Sequence, residues 1–193
     1  VKDYYHMQEK IHIKPLNIDD INDKYICWVN DPLITEYLEI GKRRLTYRDL
    51  VKYVEDSQKN GRYNYAIITK ESKNYIGNGS IFKIESDSQK FEIGWLIGEK
   101  EFWGGHYSSM IIFNLFKIGF IEMNLEKCIG YIDKTHIKAR MTNRFAGFKE
   151  IKTFLVKKDN KIITTIMLEI TKKDWLIHAK SLHLKFPKFY DAL

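Results

Sequence analysis

The sequence predicts an α/β (α+β) fold, a mixed sheet with helices on both faces. Three observations lead there. Short alternating or β-branched runs recur along the 193 residues. Helix-patterned segments interrupt them, in the order β-α-α-β-β-β-α-β-α-β-β. One strand runs through a two-glycine loop directly into a long apolar helix.

The elements follow in order. Ile11 to Leu16 alternates and stops at Pro15, which predicts a first strand. Asn17-Ile18-Asp19-Asp20 offers capping side chains for a short helix from Ile21 to Val29, and Asn30-Asp31-Pro32 ends it. Leu33 to Arg44 reads as an irregular loop or a short turn of helix, and Thr46 caps a helix whose buried face carries Leu50, Val51, Tyr53 and Val54. Tyr63 to Thr69 and Tyr75 to Ile84 form a hairpin, with Gly77 and Gly79 as bulge or close-packing points. A turn at Ser86-Asp87-Ser88 leads to the best strand, Phe91 to Gly98. The loop follows, then a helix from Tyr107 to Met123. Lys127 to Ile132 is a strand, Lys138 to Phe145 a helix ending at Gly147, and Ile151 to Val156 and Lys161 to Thr171 are two strands joined by an Asp159-Asn160 turn. The expected organisation is an arm over residues 1–10, one domain over 11–171 and a helical tail over 172–193, where Trp175, Leu176 and Leu182 keep helical spacing. The aromatic end of that tail (Phe186, Phe189, Tyr190) suits a core edge or a dimer surface, so a homodimer is open.

A chain of this length buries a core without disulfides or metals. Cys27 and Cys128 lie far apart among apolar residues and read as reduced core thiols, and no metal-ligand spacing occurs. No apolar run reaches the roughly 18 residues of a membrane span, and Val1 to His6 has no signal-peptide core, so a soluble cytoplasmic protein is expected. The net charge of +7 favours anionic partners, but the lysines are scattered and no nucleic-acid motif appears. A phosphorylated ligand accounts for the surplus better than nucleic acid, and a lysine-rich composition accounts for much of it.

A strand that turns through glycines into a helix makes an anion site. The first N–H groups of the helix lack partners, the helix dipole favours negative charge, and glycine lets a phosphate approach the backbone. Gly104-Gly105-His106-Tyr107-Ser108-Ser109 has this character but is neither a P-loop nor a dinucleotide fingerprint. By itself it is as readily an ordinary tight turn.

Neighbouring motifs distinguish it. Glu92-Ile93-Gly94-Trp95, then Trp103-Gly104-x-x-Tyr107, then Gly147-Phe148 resembles the GNAT superfamily of N-acetyltransferases. The branch most similar contains ribosomal-protein N-terminal acetyltransferases and small-molecule relatives. Trp28-Val29-Asn30-Asp31-Pro32, Asn78-Gly79 and Asn124-Leu125-Glu126-Lys127 add to the resemblance, which spans about residues 11 to 171. It implies a mostly antiparallel sheet with a splayed strand pair, and acetyl-CoA (coenzyme A) as cofactor. By the resemblance Leu96, Ile97 and Gly98 pair with pantetheine, and Trp103, Gly104, Gly105, His106, Tyr107, Ser108 and Ser109 cradle the pyrophosphate. Thr135 and Lys138 stand in a stretch where relatives carry an Asn and a Ser that touch the cofactor. The chain departs from the pattern at Gly105, at His106, and at Asn143, which replaces a tyrosine used as general acid. A water, Tyr107 or His136 would then supply that proton, or no such acid is used.

Acetyl transfer needs a deprotonated amine beside a thioester carbonyl, donors for the oxyanion and a proton for the thiolate. Glu92 is the candidate base, with a structural carboxylate as the other reading. Asn30, Asp31 and Tyr37 are candidate acceptor-pocket residues, although Asn-Asp-Pro is also a plain helix stop. Lys100, Lys138, Arg140 and Arg144 are candidate phosphate contacts or solvated charges. The opening motif and Asn78-Gly79 resemble enzymes that acetylate nucleotide-linked amino sugars in bacterial surface-polysaccharide pathways, which makes a sugar nucleotide the expected small-molecule amine. The alternatives are a protein N-terminus, an antibiotic or polyamine, and a coenzyme A-binding sensor without catalysis.

Overall fold

The computed structural model describes residues 10–84, 88–104, 106–158 and 161–185. Most of the expected arm over 1–10 therefore lies outside the described residues. So do Ser86 and Asp87, Gly105, the Asp159-Asn160 turn, and Phe186, Phe189 and Tyr190.

Seven strands build one sheet: β1 (Ile11–Pro15), β2 (Arg62–Thr69), β3 (Tyr75–Ile84), β4 (Lys90–Ile97), β5 (Lys127–Asp133), β6 (Lys149–Lys158) and β7 (Lys161–Thr171). They lie in the order β1-β2-β3-β4-β5-β7-β6. Every neighbouring pair is antiparallel except β4 with β5, which is parallel. The helices are α1 (Asp23–Asn30), α2 (Pro32–Thr35), α3 (Tyr47–Ser57), α4 (Tyr107–Phe116), α5 (Ile137–Phe145) and α6 (Lys172–Lys185). None is long and apolar enough to cross a membrane.

Strand alternation splits the buried residues into two cores. Phe91, Ile97, Cys128, Ile132, Ile166, Leu168 and Ile170 face α4 and α6 in the larger one, which Ile93 and Trp95 border. Ala66 joins the smaller core beneath α1 and α3, with Tyr25, Trp28, Val29 and Leu50, and Leu96 packs against it.

Local chemistry explains most boundaries. Thr46 and Asp49 form a reciprocal cap at the start of α3, Thr46 N–H donating to the Asp49 carboxylate at 2.8 Å and Asp49 N–H to the Thr46 hydroxyl at 3.3 Å. The cap of α1 differs from expectation. Asn17 and Asp20 cap only a 3-10 turn over Ile18–Asp20. Ile21 then leaves the helical path in extended conformation with its side chain buried, and Asn22 accepts the Tyr25 N–H to start α1 at Asp23, two residues later than expected. Cys27 is also a correction: Tyr25, Trp28 and Val29 form the buried stripe of α1, and Cys27 lies outside it, exposed. Cys128 is buried as expected.

The long apolar helix changes character along its length. It is α-helical to Phe116 and continues as a π-helix over Lys117–Glu122. The wider turn seats Phe120 between Phe91 and Trp175, at ring separations of 5.0 and 5.4 Å. The C-terminal helix α6 is no appendage: Trp175, Ala179 and Leu182 lie within the larger core, whereas Leu176 is 41% exposed.

Candidate active site

The parallel pair β4–β5 is held by three residue pairs only, Lys90↔Lys127, Phe91↔Cys128 and Glu92↔Ile129. Beyond Glu92 the strands part. β4 stays paired to β3 as far as Gly77↔Ile97, and β5 stays paired to β7 as far as Asp133↔Thr165, so the sheet opens in a V between them.

The ladder decides which groups face that gap. Gly98 N–H donates to the Ile76 carbonyl at 2.8 Å. In an antiparallel pair the bonded positions alternate, so Leu96 and Gly94 also direct their backbone groups to β3, opposite Asn78 and Ser80. Trp95 and Ile97 direct theirs into the V. Of the expected trio Leu96, Ile97 and Gly98, Ile97 faces the gap while Leu96 and Gly98 are engaged with β3, and the Trp95 backbone also lies on the gap side. The Ile97 carbonyl accepts from Trp103 Nε1 at 2.8 Å, which ties the following loop to the strand end. Trp103 itself is 44% exposed, and Lys100 Nζ lies 6.0 Å from its ring centroid. Gly98 is held for another reason. A Cβ there would stand 1.9 Å from the Trp28 ring, so the end of β4 abuts α1 directly.

Past Trp103 the chain turns at Gly104 with φ +93, a conformation that favours glycine, and a Cβ at that position would meet nothing within 4 Å. His106 also has positive φ (68°) as the N-cap of α4, without a side-chain cap bond. Among the described residues, Met110 N–H donates to the His106 carbonyl, and Tyr107 N–H turns back to Gly104 at 3.2 Å. Ser108 and Ser109 stand in the first turn of α4, where backbone N–H groups point out of the helix end. Tyr107 packs edge-on against Phe102, with ring centroids 5.0 Å apart, and burial pushes its hydroxyl pKa up. Gly105, the other expected cradle residue, is outside the described residues.

Glu92 sits at the vertex, on the last paired position, with its side chain on the face covered by α1 and α3. It is partly buried, and desolvation raises its pKa while the Arg62 charge opposes the rise. Among the described residues no cation forms an ion pair with it. A carboxylate so placed binds a proton more readily than one in water.

Across the V, β5 ends in a tight turn. Asp133 accepts the Thr135 hydroxyl at 2.6 Å and the Thr135 N–H at 2.8 Å, and these bonds hold its pKa below the usual carboxylate range. The Thr135 proton is thus already donated. Lys138 lies exposed in the first turn of α5. Arg140 is engaged with Glu150 through two nitrogens, at 2.8 and 3.1 Å, and Lys100 with Asp31 at 2.7 Å. Asn143 is buried and donates to the Ala139 carbonyl at 2.9 Å, so the residue in the tyrosine position is a helix-packing group. His136 caps α5 beneath Tyr37, with the rings stacked at 3.9 Å and 12°. Burial lowers the His136 pKa, against the Glu36 and Asp133 charges, and keeps the ring neutral at neutral pH.

The three expected acceptor residues separate. Asn30 donates to the Ile26 and Leu45 carbonyls at 2.8 and 2.9 Å and accepts the Leu45 N–H at 2.8 Å, so it clamps the segment between α1 and α3. Asp31 caps α2 through Leu33 N–H at 2.8 Å and pairs with Lys100, the chief cause of its lowered pKa. Only Tyr37 reaches across the open end of the V. The period-two alternation of β4 sets the Trp95 backbone on the open edge while its side chain borders the larger core.

These residues suit a coenzyme A molecule: parted strands with the Trp95 and Ile97 backbone on the open edge, an open glycine turn, and the start of a helix. A family model described as an acetyltransferase (GNAT) domain matches residues 10–149. A similar curated protein, the uncharacterised N-acetyltransferase p20 of Bacillus licheniformis, is 23% identical over 172 residues, covering 86% of this chain and 96% of that one. The fold is similar to spermidine N-acetyltransferase of Vibrio cholerae solved with CoA and spermine, at TM-score 0.76, 18% identity, and coverage of 86% and 98%. It is also similar to a GNAT-family acetyltransferase of Bacillus anthracis, at TM-score 0.72, 17% identity, and coverage of 85% and 96%. The chain belongs to the GNAT family of acetyltransferases and is an acetyl-CoA-dependent N-acetyltransferase.

Proposed function

We propose that the chain acetylates the primary amine of a small molecule that approaches the V from the face bearing Glu92, with Glu92 as the proton acceptor. The observation that carries this is the position of Glu92, partly buried at the vertex where β4 and β5 part, with no ion-pair partner among the described residues. Acetyl-CoA, when bound, supplies the thioester carbonyl. The Trp95 backbone and the Ile97 N–H would hold it along β4, and Ser108, Ser109 and Lys138 would meet its phosphates. Glu92 in its ionised form takes the proton of the incoming ammonium, directly or through a water.

A nucleotide-linked amino sugar is the finer reading, supported by the resemblance of Trp28 to Pro32 and of Asn78-Gly79. A second reading, a cationic amine, is favoured by charge. Lys100 and Lys158 near the open end are paired with Asp31 and Glu39, while Glu36 and Asp133 flank His136. Thiol release from acetyl-CoA should be followed with a nucleoside-diphosphate amino sugar, spermidine and a hexapeptide with a free N-terminus. Turnover only on the peptide rejects the small-molecule reading, and coenzyme A binding without turnover on any amine supports a sensor. Glu92→Gln should lower kcat by about 100-fold and remove the acid limb of the pH profile, with little change in acetyl-CoA affinity. Unchanged turnover would remove Glu92 from the role.

A further inference from the structure

We propose that Arg62 is a positioning residue for Glu92: its guanidinium, seated on the Phe82 ring, serves as the counter-charge of the Glu92 carboxylate. The proposal rests on the reading of Glu92 as the proton acceptor.

Strand register brings the two groups together. Arg62 on β2 pairs with Phe82 on β3, and Phe82 pairs with Glu92 on β4. Directly paired residues share a face of a sheet, so the three side chains stand in one row. Their chain neighbours Tyr63, Ile81, Phe91 and Ile93 belong to or border the larger core, which places the row on the opposite face, under α1 and α3. The guanidinium carbon of Arg62 lies 4.9 Å from the Phe82 ring centroid, and Arg62 Nη1 donates to the Ser80 hydroxyl at 3.4 Å. Ser80 stands in the next row, opposite Gly94. A Cβ on Gly94 would lie 3.2 Å from Ser80 Oγ, so this hydroxyl sits where a side chain beside Glu92 would crowd it.

The surrounding polar groups leave the Arg62 charge to Glu92. Tyr53 on α3 donates to Asn64 Oδ1 at 2.9 Å, and Asn64 Nδ2 donates to Ser57 Oγ at 2.6 Å. Among the described residues Arg62 forms no ion pair. Burial raises the Glu92 pKa, and the Arg62 charge opposes that rise. The other titratable groups coupled to this pair are Tyr53 on α3 and Cys128 on β5. Burial raises the pKa of both, so each is neutral at neutral pH. Without Arg62, desolvation would act unopposed and Glu92 would stay protonated to higher pH, a form that cannot accept a proton from the amine. A cation–π contact on Phe82 that served packing alone would have no such consequence.

Arg62→Met keeps an aliphatic stem on Phe82 and removes the charge, and Arg62→Lys restores a charge. Carboxyl NMR of protein with isotope-labelled glutamate follows Glu92 directly, its signal being the one absent from Glu92→Gln. In Arg62→Met the midpoint of that titration and the acid limb of the kcat–pH profile should both move to higher pH. Turnover below neutral pH should fall severalfold, with the acetyl-CoA KM unchanged. Arg62→Lys should bring both midpoints back toward the parent. If Arg62→Met does not fold, Arg62→Gln carries the same test. An equal Glu92 midpoint in the charge-free variant and the parent overturns the proposal, as does failure of Arg62→Lys to restore it. A shifted midpoint with an unmoved acid limb overturns the proton-acceptor reading alone and leaves the Arg62–Glu92 coupling standing.

Discussion

Burial raises the pKa of Glu92, so folding works against its ionised form. Its contribution favours the fold below the ordinary carboxylate value and is lost as pH rises through the raised one. At neutral pH Glu92→Gln should therefore unfold at the same or a higher temperature while losing turnover, a pairing that a structural carboxylate would not give. Asn30 shows the opposite character. Its three backbone bonds satisfy both polar groups of Leu45 and close the base of the segment that carries Tyr37. Asn30→Ala should cost about 1–3 kcal/mol in denaturant unfolding and leave the acetyl-CoA KM unaltered. Gly98→Ala meets the Trp28 ring and should cost a similar amount, about 1–3 kcal/mol.

Among the elements, the turn from β4 into α4 depends most on backbone conformation. Gly104 at φ +93 positions the start of α4, with Ser108 and Ser109 in its first turn. Gly104→Ala strains that turn by about 1–2 kcal/mol, which predicts roughly a fivefold or greater loss of acetyl-CoA affinity by calorimetry. The surroundings are open enough that no steric clash adds to it. His106 occupies the same left-handed region without glycine's freedom, which is the physical meaning of its departure from the family pattern. In β4 the alternation of pairing matters more than residue type. A shift of one residue would turn Leu96 and Gly98 to the gap and hide Trp95 and Ile97.

Over the whole molecule the sheet carries two cores, and α6 completes the larger one. Trp175 is 1% exposed and touches both Phe116 and Phe120, so Trp175→Ala should cost about 3–5 kcal/mol. Thermal unfolding checks this, and a chain ended at Thr171 should be correspondingly unstable. The Tyr37–His136 stack should depend on pH through the imidazole. Its folded pKa is depressed below the ordinary 6.5, so its stabilising contribution is present above that value and lost as pH falls through the depressed one. Glu36 and Asp133 temper the loss, Lys138 adds to it, and Tyr37 supplies the ring that the imidazole meets. Exchange at residues 36–42 should quicken in that acidic range.

The element order, the strand–glycine loop–helix and the family were legible in the sequence, because periodicity, caps and turn residues act over a few positions. The reach of those local signals ends where distant segments meet. Only the tertiary structure showed that Asn30 and Asp31 serve the scaffold, that Trp95 shares the open edge with Ile97, and that Tyr37 lies on His136. Each of these depends on strand register or on a contact between residues far apart in the chain, and no spacing along the sequence encodes it.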